Sequence, residues 1–159
     1  MNTLVTQHFG LEEFACHDGT PYPVKNVDDA TQQTWLVSRL VPLCETLEVI
    51  RTAGGHKAIT ITSGYRTPTY QQRLKDKAKG TVGSASGSQH PQGRACDITH
   101  ATLLPQQLHA LITRLYREKK LPHLGGLGIY ETFLHIDVRP RVKDHLAQWS
   151  DVPKPSAVA

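Results

Sequence analysis

The stretch SQHPQGRACD, residues 88–97, places His90 and Asp97 seven positions apart, with a glycine between them that can turn the chain. Its second half runs on into ITH and alternates as a β-strand does. On such a strand Ala95 and Asp97 share one face, and Cys96 points to the other face as a small core residue. The stretch therefore predicts a strand that carries a carboxylate, with an imidazole brought to it across a turn.

A second segment, His135-Ile-Asp137, has the same alternation. Residues i and i+2 of a strand point to one side, so His135 and Asp137 share a face. A catalytic zinc takes three protein ligands of nitrogen and oxygen type and keeps a fourth position open. His90, Asp97 and His135 supply that set without a cysteine. The reaction that such a metal centre implies is hydrolysis.

The remaining periodicity predicts an α+β fold, with helices packed on a small, mostly antiparallel sheet. Three further segments predict strands, the last two as a hairpin: 58–62, 127–130 and 133–139. Three segments have helical periodicity: 29–51, 68–78 and 104–120. In the first helix Asp28 or Asp29 is the expected cap, and Pro42 predicts a kink or a break. In the third helix the expected buried stripe is Leu104, Leu108, Leu111 and Leu115.

The 159 residues are enough for one domain with a core and too few for two ordinary ones. We expect a single domain over residues 1–150, with residues 1–27 as an N-terminal flap packed on it. Residues 151–159 contain two prolines and predict a flexible tail. The stretch 79–90, rich in glycine and serine, falls in mid-domain and predicts a surface loop.

Composition argues against several classes of protein. No apolar run approaches the roughly 20 residues needed to cross a bilayer, and three cysteines do not make a disulfide framework. The net charge of +4 comes from scattered basic residues without interleaved aromatics, so we expect no nucleic-acid partner. The first residues lack the features of a signal peptide, which predicts synthesis in the cytoplasm. We expect a monomer with no membrane partner.

Three motifs, SGYR (63–66), SxHxxGxAxD (88–97) and HxD (135–137), resemble those of peptidase family M15. These are zinc D-Ala-D-Ala carboxypeptidases and endopeptidases, and the resemblance is closest to the A branch of the family. It runs from about His8 to Arg139, and the opening HFGLEEFAC is similar to how many such domains begin. The resemblance implies a small zinc peptidase fold, shared with the Hedgehog signalling domain, that cleaves cell-wall stem peptides. The residues that match the family's zinc ligands are His90, Asp97 and His135.

The resemblance implies further roles for residues near the ligands. Several branches place an acid three residues before the last ligand histidine, where this chain has Thr132, and Glu131 is one position further back. Along an extended strand Glu131 would be roughly 13 Å from His135, whereas Asp137 is about 6.6 Å away and on the same face. Asp137 is therefore the favoured general base, or the carboxylate that orients a ligand, and Glu131 is the alternative base. Arg66 is expected to hold a substrate carboxylate or the developing oxyanion, and Ser88 to hydrogen-bond the substrate.

The function predicted in this way is a zinc metallopeptidase that hydrolyses peptidoglycan stem or cross-link peptides. It would act as a carboxypeptidase or as an endopeptidase of the lytic kind. Without a signal peptide, a phage or prophage endolysin, released by a holin or delivered with a virion, is the expected setting. The alternative is a zinc-stabilised cell-wall binding module of the same fold that has no catalytic activity.

Overall fold

One five-stranded sheet organises the chain, in a computed structural model that describes residues 2–27, 32–78 and 87–152. Its strands are β1 Ile59–Ser63, β2 Ala95–His100, β3 Gly126–Tyr130, β4 Leu134–Asp137 and β5 Ala147–Asp151. Their spatial order is β1-β2-β4-β3-β5, and every neighbouring pair is antiparallel except β3 and β5. The predicted α+β fold with a mostly antiparallel sheet is confirmed, including the hairpin formed by β3 and β4.

Three α-helices accompany the sheet: α1 Val41–Ala53, α2 Pro68–Ala78 and α3 Pro105–Arg117. A π-helical segment, Leu36–Leu40, leads directly into α1, and the change of winding falls next to Pro42, which has no N–H to donate. Residues 32–34 are not helical, so the first helix begins later than the predicted position 29. Just before the π-helical segment, the hydroxyl oxygen of Thr34 accepts the N–H of Val37 at 3.3 Å. The caps predicted at positions 28 and 29 lie outside the described residues.

Helix α3 corrects one predicted core residue. Leu104 is 63% exposed, whereas Leu108, Ile112 and Leu115 are buried. Leu104 has extended backbone angles and precedes the first helical residue, so its side chain does not continue the stripe of the helix. The predicted buried stripe began one turn too early, at Leu104, and left out Ile112.

The two faces of the sheet have different surroundings. Alternate residues of the strands point towards α1 and α3 and form the core, among them Cys96, Ile98, Leu127, Leu134 and Ile136. Helix α3 packs on β2, β3 and β4, and α1 packs on α3. Cys96 is fully buried in this core, as predicted. The other face of the same strands is free of these helices and carries the polar residues described below.

The two ends of the chain are joined to the sheet. Near the N-terminus Phe14 is buried, and its carbonyl oxygen accepts the N–H of Tyr65 just after β1. Gly64 permits this approach, since a side chain there would collide with the backbone of Phe14. At the other end, β5 was not predicted, and it includes Asp151, the first residue of the predicted tail.

Residues 79–86 of the predicted loop and 153–159 of the tail lie outside the described residues. Among the residues described, no helix has the length and apolar character to span a membrane.

Candidate metal centre

One row of paired residues crosses all five strands on the face away from the core. It runs Ser63, Asp97, His135, Gly128 and Trp149, each aligned with the next across neighbouring strands. Directly paired residues point to the same side of a sheet. The register therefore brings a hydroxyl, a carboxylate, an imidazole and an indole onto one face, with a glycine between the last two.

His90 reaches this row from a short 3-10 turn, His90–Gln92, that ends at Gly93. Gly93 has a φ of 68°, a left-handed conformation that favours glycine, and a side chain there would collide with Trp35. The Nδ1 of His90 donates to the carbonyl oxygen of Gly64 at 2.7 Å. That bond sets the ring orientation and leaves Nε2 facing Asp97.

The three predicted ligands converge at the carboxylate of Asp97. Its Oδ1 lies 3.2 Å from His90 Nε2 and 3.2 Å from His135 Nδ1, and all three side chains are buried. One ligand atom from each residue lies within 4.8 Å of the others. Tetrahedral zinc with ligands about 2.1 Å away would separate neighbouring ligand atoms by about 3.4 Å. The two measured separations are close to that spacing, so the residues present fit a zinc ion.

Hydrogen bonds hold the Asp97 carboxylate in its charged form. Burial opposes ionisation, but hydrogen bonds from His135 and His90 outweigh it and lower the pKa of Asp97 below its ordinary value. The second oxygen, Oδ2, accepts from Arg66 at 3.1 Å. Arg66 also donates to Ser63 Oγ and Gln71 Oε1, so its guanidinium is fixed from three sides.

His135 lies between two carboxylates. Its Nε2 is 2.8 Å from Asp137 Oδ2, and its Nδ1 faces Asp97. Burial alone would lower the pKa of His135, but the bonds to Asp137 and Asp97 raise it above the ordinary value. Burial lowers the pKa of His90, which has only one carboxylate partner. A histidine whose far nitrogen donates to a carboxylate presents its near nitrogen as a metal ligand.

Asp137 is fully buried, and both of its oxygens accept hydrogen bonds. Oδ1 accepts the backbone N–H and the Nε of Arg139, at 3.0 and 2.8 Å, while Oδ2 faces His135 and the same guanidinium. Burial opposes ionisation of Asp137, but these bonds prevail and lower its pKa to about 2. Gly126 provides the space, because a side chain there would overlap the carboxylate. This environment suits a carboxylate that orients His135 better than one that exchanges protons with water.

The sequence model of the Peptidase M15 family matches residues 7–137, most of the chain. The chain belongs to the peptidase M15 family. M15 peptidases are metallopeptidases, so the family supports a peptide-hydrolysing activity, and the buried group His90, Asp97 and His135 could hold a metal ion. No curated protein and no solved structure gives a significant match.

The other residues predicted to act in this M15 domain lie at different distances from the centre. Arg66 contacts Asp97 directly. Ser88 accepts the N–H of His90 at 3.4 Å, which places it beside the turn rather than in the ligand group. Glu131 is exposed in the turn between β3 and β4. The stacked rings of Tyr130 and Phe133 occupy the site face between that turn and the row of His135.

Sequence reasoning did not identify three residues that the M15 fold adds to the site. The Trp149 indole lies over Gly128, with its ring centroid 5.0 Å from that of His135. Its Nε1 donates to the hydroxyl oxygen of Tyr130 at 2.9 Å, and Arg139 lies over its ring. The pattern HxDxR would have pointed to Arg139, because positions 137 and 139 share a face of the predicted strand 133–139, although the strand itself ends at Asp137. No local signal pointed to Trp149, which reaches the site only through the pairing of β3 with β5.

Proposed function

We propose that the chain is a zinc peptidase that hydrolyses peptide bonds of peptidoglycan, in stem peptides or cross-links. The observation that carries the proposal is the convergence of His90 Nε2, Asp97 Oδ1 and His135 Nδ1 in a buried position. The opposite atom of each residue is held by Gly64, Arg66 or Asp137. Ligands fixed in this way are arranged before the metal binds.

The number of ligands favours an enzyme over a binding module. Within the part of the chain that the structure describes, the candidate group has three members, all with nitrogen or oxygen ligand atoms. Structural zinc sites are usually closed by four protein ligands, whereas catalytic sites leave one position for water or substrate. We therefore rank the zinc-stabilised cell-wall binding module second.

Each residue has a proposed role in hydrolysis. Zinc, when bound, would polarise the scissile carbonyl and lower the pKa of a water molecule. Asp137 orients His135, and Arg66 holds the Oδ2 of Asp97 in position. An arginine has five N–H groups, and three of those on Arg66 donate to Ser63, Gln71 and Asp97. The proposed role of the other two is to bind a substrate carboxylate or oxyanion.

The remaining roles stay predictions. Ser88 is the proposed substrate contact beside the His90 turn, and Glu131 is the alternative general base. The net charge of +4 favours the approach of anionic wall peptides. Delivery to the wall by a holin or with a virion also stays a prediction, as does the monomeric state.

Digestion of purified murein tests the proposed function. The zinc-loaded chain is incubated with murein, and the muropeptides are analysed by mass spectrometry, with and without a chelator and after zinc is restored. We expect new peptide ends that depend on zinc, with His90→Ala as the inactive control. Free D-Ala would identify a carboxypeptidase, and conversion of cross-linked dimers to monomers an endopeptidase. One zinc per chain without new peptide ends would favour the binding module instead.

A further inference from the structure

The hydroxyl of Tyr130 is held at the site by contacts that the roles above do not use. Tyr130 is two residues from Gly128 on β3, so its side chain lies on the same face as His135. Its ring stacks on Phe133 at a centroid distance of 4.5 Å and an angle of 7°. Its hydroxyl oxygen accepts the Nε1–H of Trp149 at 2.9 Å. Ring and hydroxyl are therefore both fixed in direction.

The hydrogen bond from Trp149 Nε1 restricts the direction of the Tyr130 O–H. An indole N–H can only donate, so Tyr130 is the acceptor in this pair and its own O–H remains available as a donor. Among the hydrogen bonds of the described residues, none uses that O–H as a donor. The half-buried tyrosine thus presents a free, oriented proton on the site face.

The surroundings keep this hydroxyl neutral and couple it to the metal centre. Burial raises the pKa of Tyr130; the hydrogen bond from Trp149 opposes the rise, and the negative charge of Asp97 adds to it. Asp97 lies on the same face of the sheet as Tyr130, because Asp97 pairs with His135, which pairs with Gly128, two residues from Tyr130. The indole that orients it lies against the ring of His135. A neutral O–H beside a peptide-hydrolysing centre is a hydrogen-bond donor for a developing negative charge.

We propose that Tyr130 is a catalytic residue that donates a hydrogen bond to the scissile carbonyl oxygen as that oxygen gains negative charge, and that Trp149 is its positioning residue. The inference rests on the proposed function and deepens it. Tyr130 keeps its proton throughout the reaction. One water is consumed: its oxygen bonds to the carbonyl carbon, the carbon–nitrogen bond breaks, and a proton from that water goes to the leaving amine.

Tyr130→Phe tests the proposal, because it removes the hydroxyl and keeps the ring stacked on Phe133. We expect kcat on a wall peptide to fall by about 10²-fold, the usual contribution of one oxyanion donor, with little change in KM. The matched control is Tyr116→Phe, whose hydroxyl donates to the carbonyl oxygen of Asp144 away from the metal centre. That control should keep the wild-type kcat.

Two further measurements separate catalysis from folding. Metal content should be the same in Tyr130→Phe and in the wild type, since no ligand changes, and thermal stability should fall only slightly, because the bond from Trp149 is lost while the core is unchanged. A phosphinic dipeptide, which presents a tetrahedral oxyanion, should bind the zinc-loaded variant about 10²-fold more weakly, with unchanged affinity for the cleaved product. Trp149→Phe, which removes the orienting N–H together with part of the ring that packs over Gly128 and His135, should lower kcat by about 5- to 10-fold.

The outcomes distinguish this inference from the proposed function. If Tyr130→Phe keeps the wild-type kcat, or raises KM alone, the inference is wrong while the active wild type still supports the peptidase. Unchanged phosphinate affinity in Tyr130→Phe would also contradict it. If the zinc-loaded wild type releases no peptide ends, the proposed function fails and the inference falls with it.

Discussion

The two faces of strands β2 and β4 are equally buried for opposite reasons. Ile98 and Ile136 on one face are fully buried against α3 and the core, where exclusion from water stabilises them. Asp97, His135 and Asp137 on the other face have at most 6% of their surface exposed. Burying such groups is costly unless each polar atom has a partner, and here each has one. Strands β2 and β4 thus have one apolar face that stabilises the fold and one polar face that forms the candidate metal centre.

The neighbours His135 and Ile136 give the largest expected contrast between these faces. His135→Ala should abolish stoichiometric zinc binding and peptide cleavage, because it removes one of three ligands. Ile136→Ala should keep zinc binding and lower the free energy of unfolding by about 2–5 kcal/mol, the usual effect of a core cavity. Metal analysis and urea denaturation of both variants test this. Wild-type zinc affinity in His135→Ala would show that the two faces are not divided as described.

Asp137→Asn tests how far the polar face depends on the groups behind the ligands. The amide keeps the shape but not the charge that fixes His135 and pairs with Arg139. Zinc affinity should fall by about 10–100-fold, the range for partners of metal ligands. Competition with a zinc chelator would measure the affinity, and Asp144→Asn, at an exposed carboxylate, is the matched control. Unchanged affinity together with loss of the acid limb of the pH–rate profile would identify Asp137 as the base instead.

The same carboxylate predicts a pH dependence of stability in the metal-free protein. The pKa of Asp137 falls from 3.8 to about 2 on folding, so the stability it contributes is present above pH 4. That stability is lost as the pH falls towards 2, and a shift of this size corresponds to about 2 kcal/mol. Urea unfolding of metal-free protein at pH 5, 3 and 2 should show the loss, and Asp137→Asn should lack this part of it. A parallel decline in both proteins would contradict the assignment.

The polar face shows which features can be inferred from sequence. The period of two in β2 and β4 is local, so the shared face of His135 and Asp137 could be predicted before the fold was known. The bond between Arg66 and Asp97 joins residues 31 positions apart, and it depends on where β1 ends. The position of Trp149 depends on the parallel pairing of β3 with β5, which no turn motif or residue spacing in the sequence indicates. Local periodicity therefore predicted the faces on which Asp97 and His135 lie, and the motif around position 90 supplied the third candidate ligand, whereas the residues that hold and surround this group needed the tertiary structure.

The smallest expected effect concerns Glu131, which belongs to neither face. It lies in the exposed turn after Tyr130, and the Tyr130–Phe133 stack separates that turn from the row containing His135. On an extended strand the three residues from Gly128, the partner of His135, to Glu131 cover about 10 Å. A carboxylate at that distance reaches a water molecule at the metal centre only if the turn moves towards it.

Glu131→Gln should therefore change kcat/KM on a wall peptide by less than about threefold, far below the 10²-fold or more that a general base contributes. The pH–rate profile should keep its acid limb, and zinc affinity should match the wild type. Thr132→Ala, the next residue of the same turn, controls for changes in the hairpin itself. A loss of about 10²-fold in Glu131→Gln alone would make Glu131 the base and bring the turn over the metal centre during catalysis. The active site would then extend from the polar face of the sheet to the turn between β3 and β4.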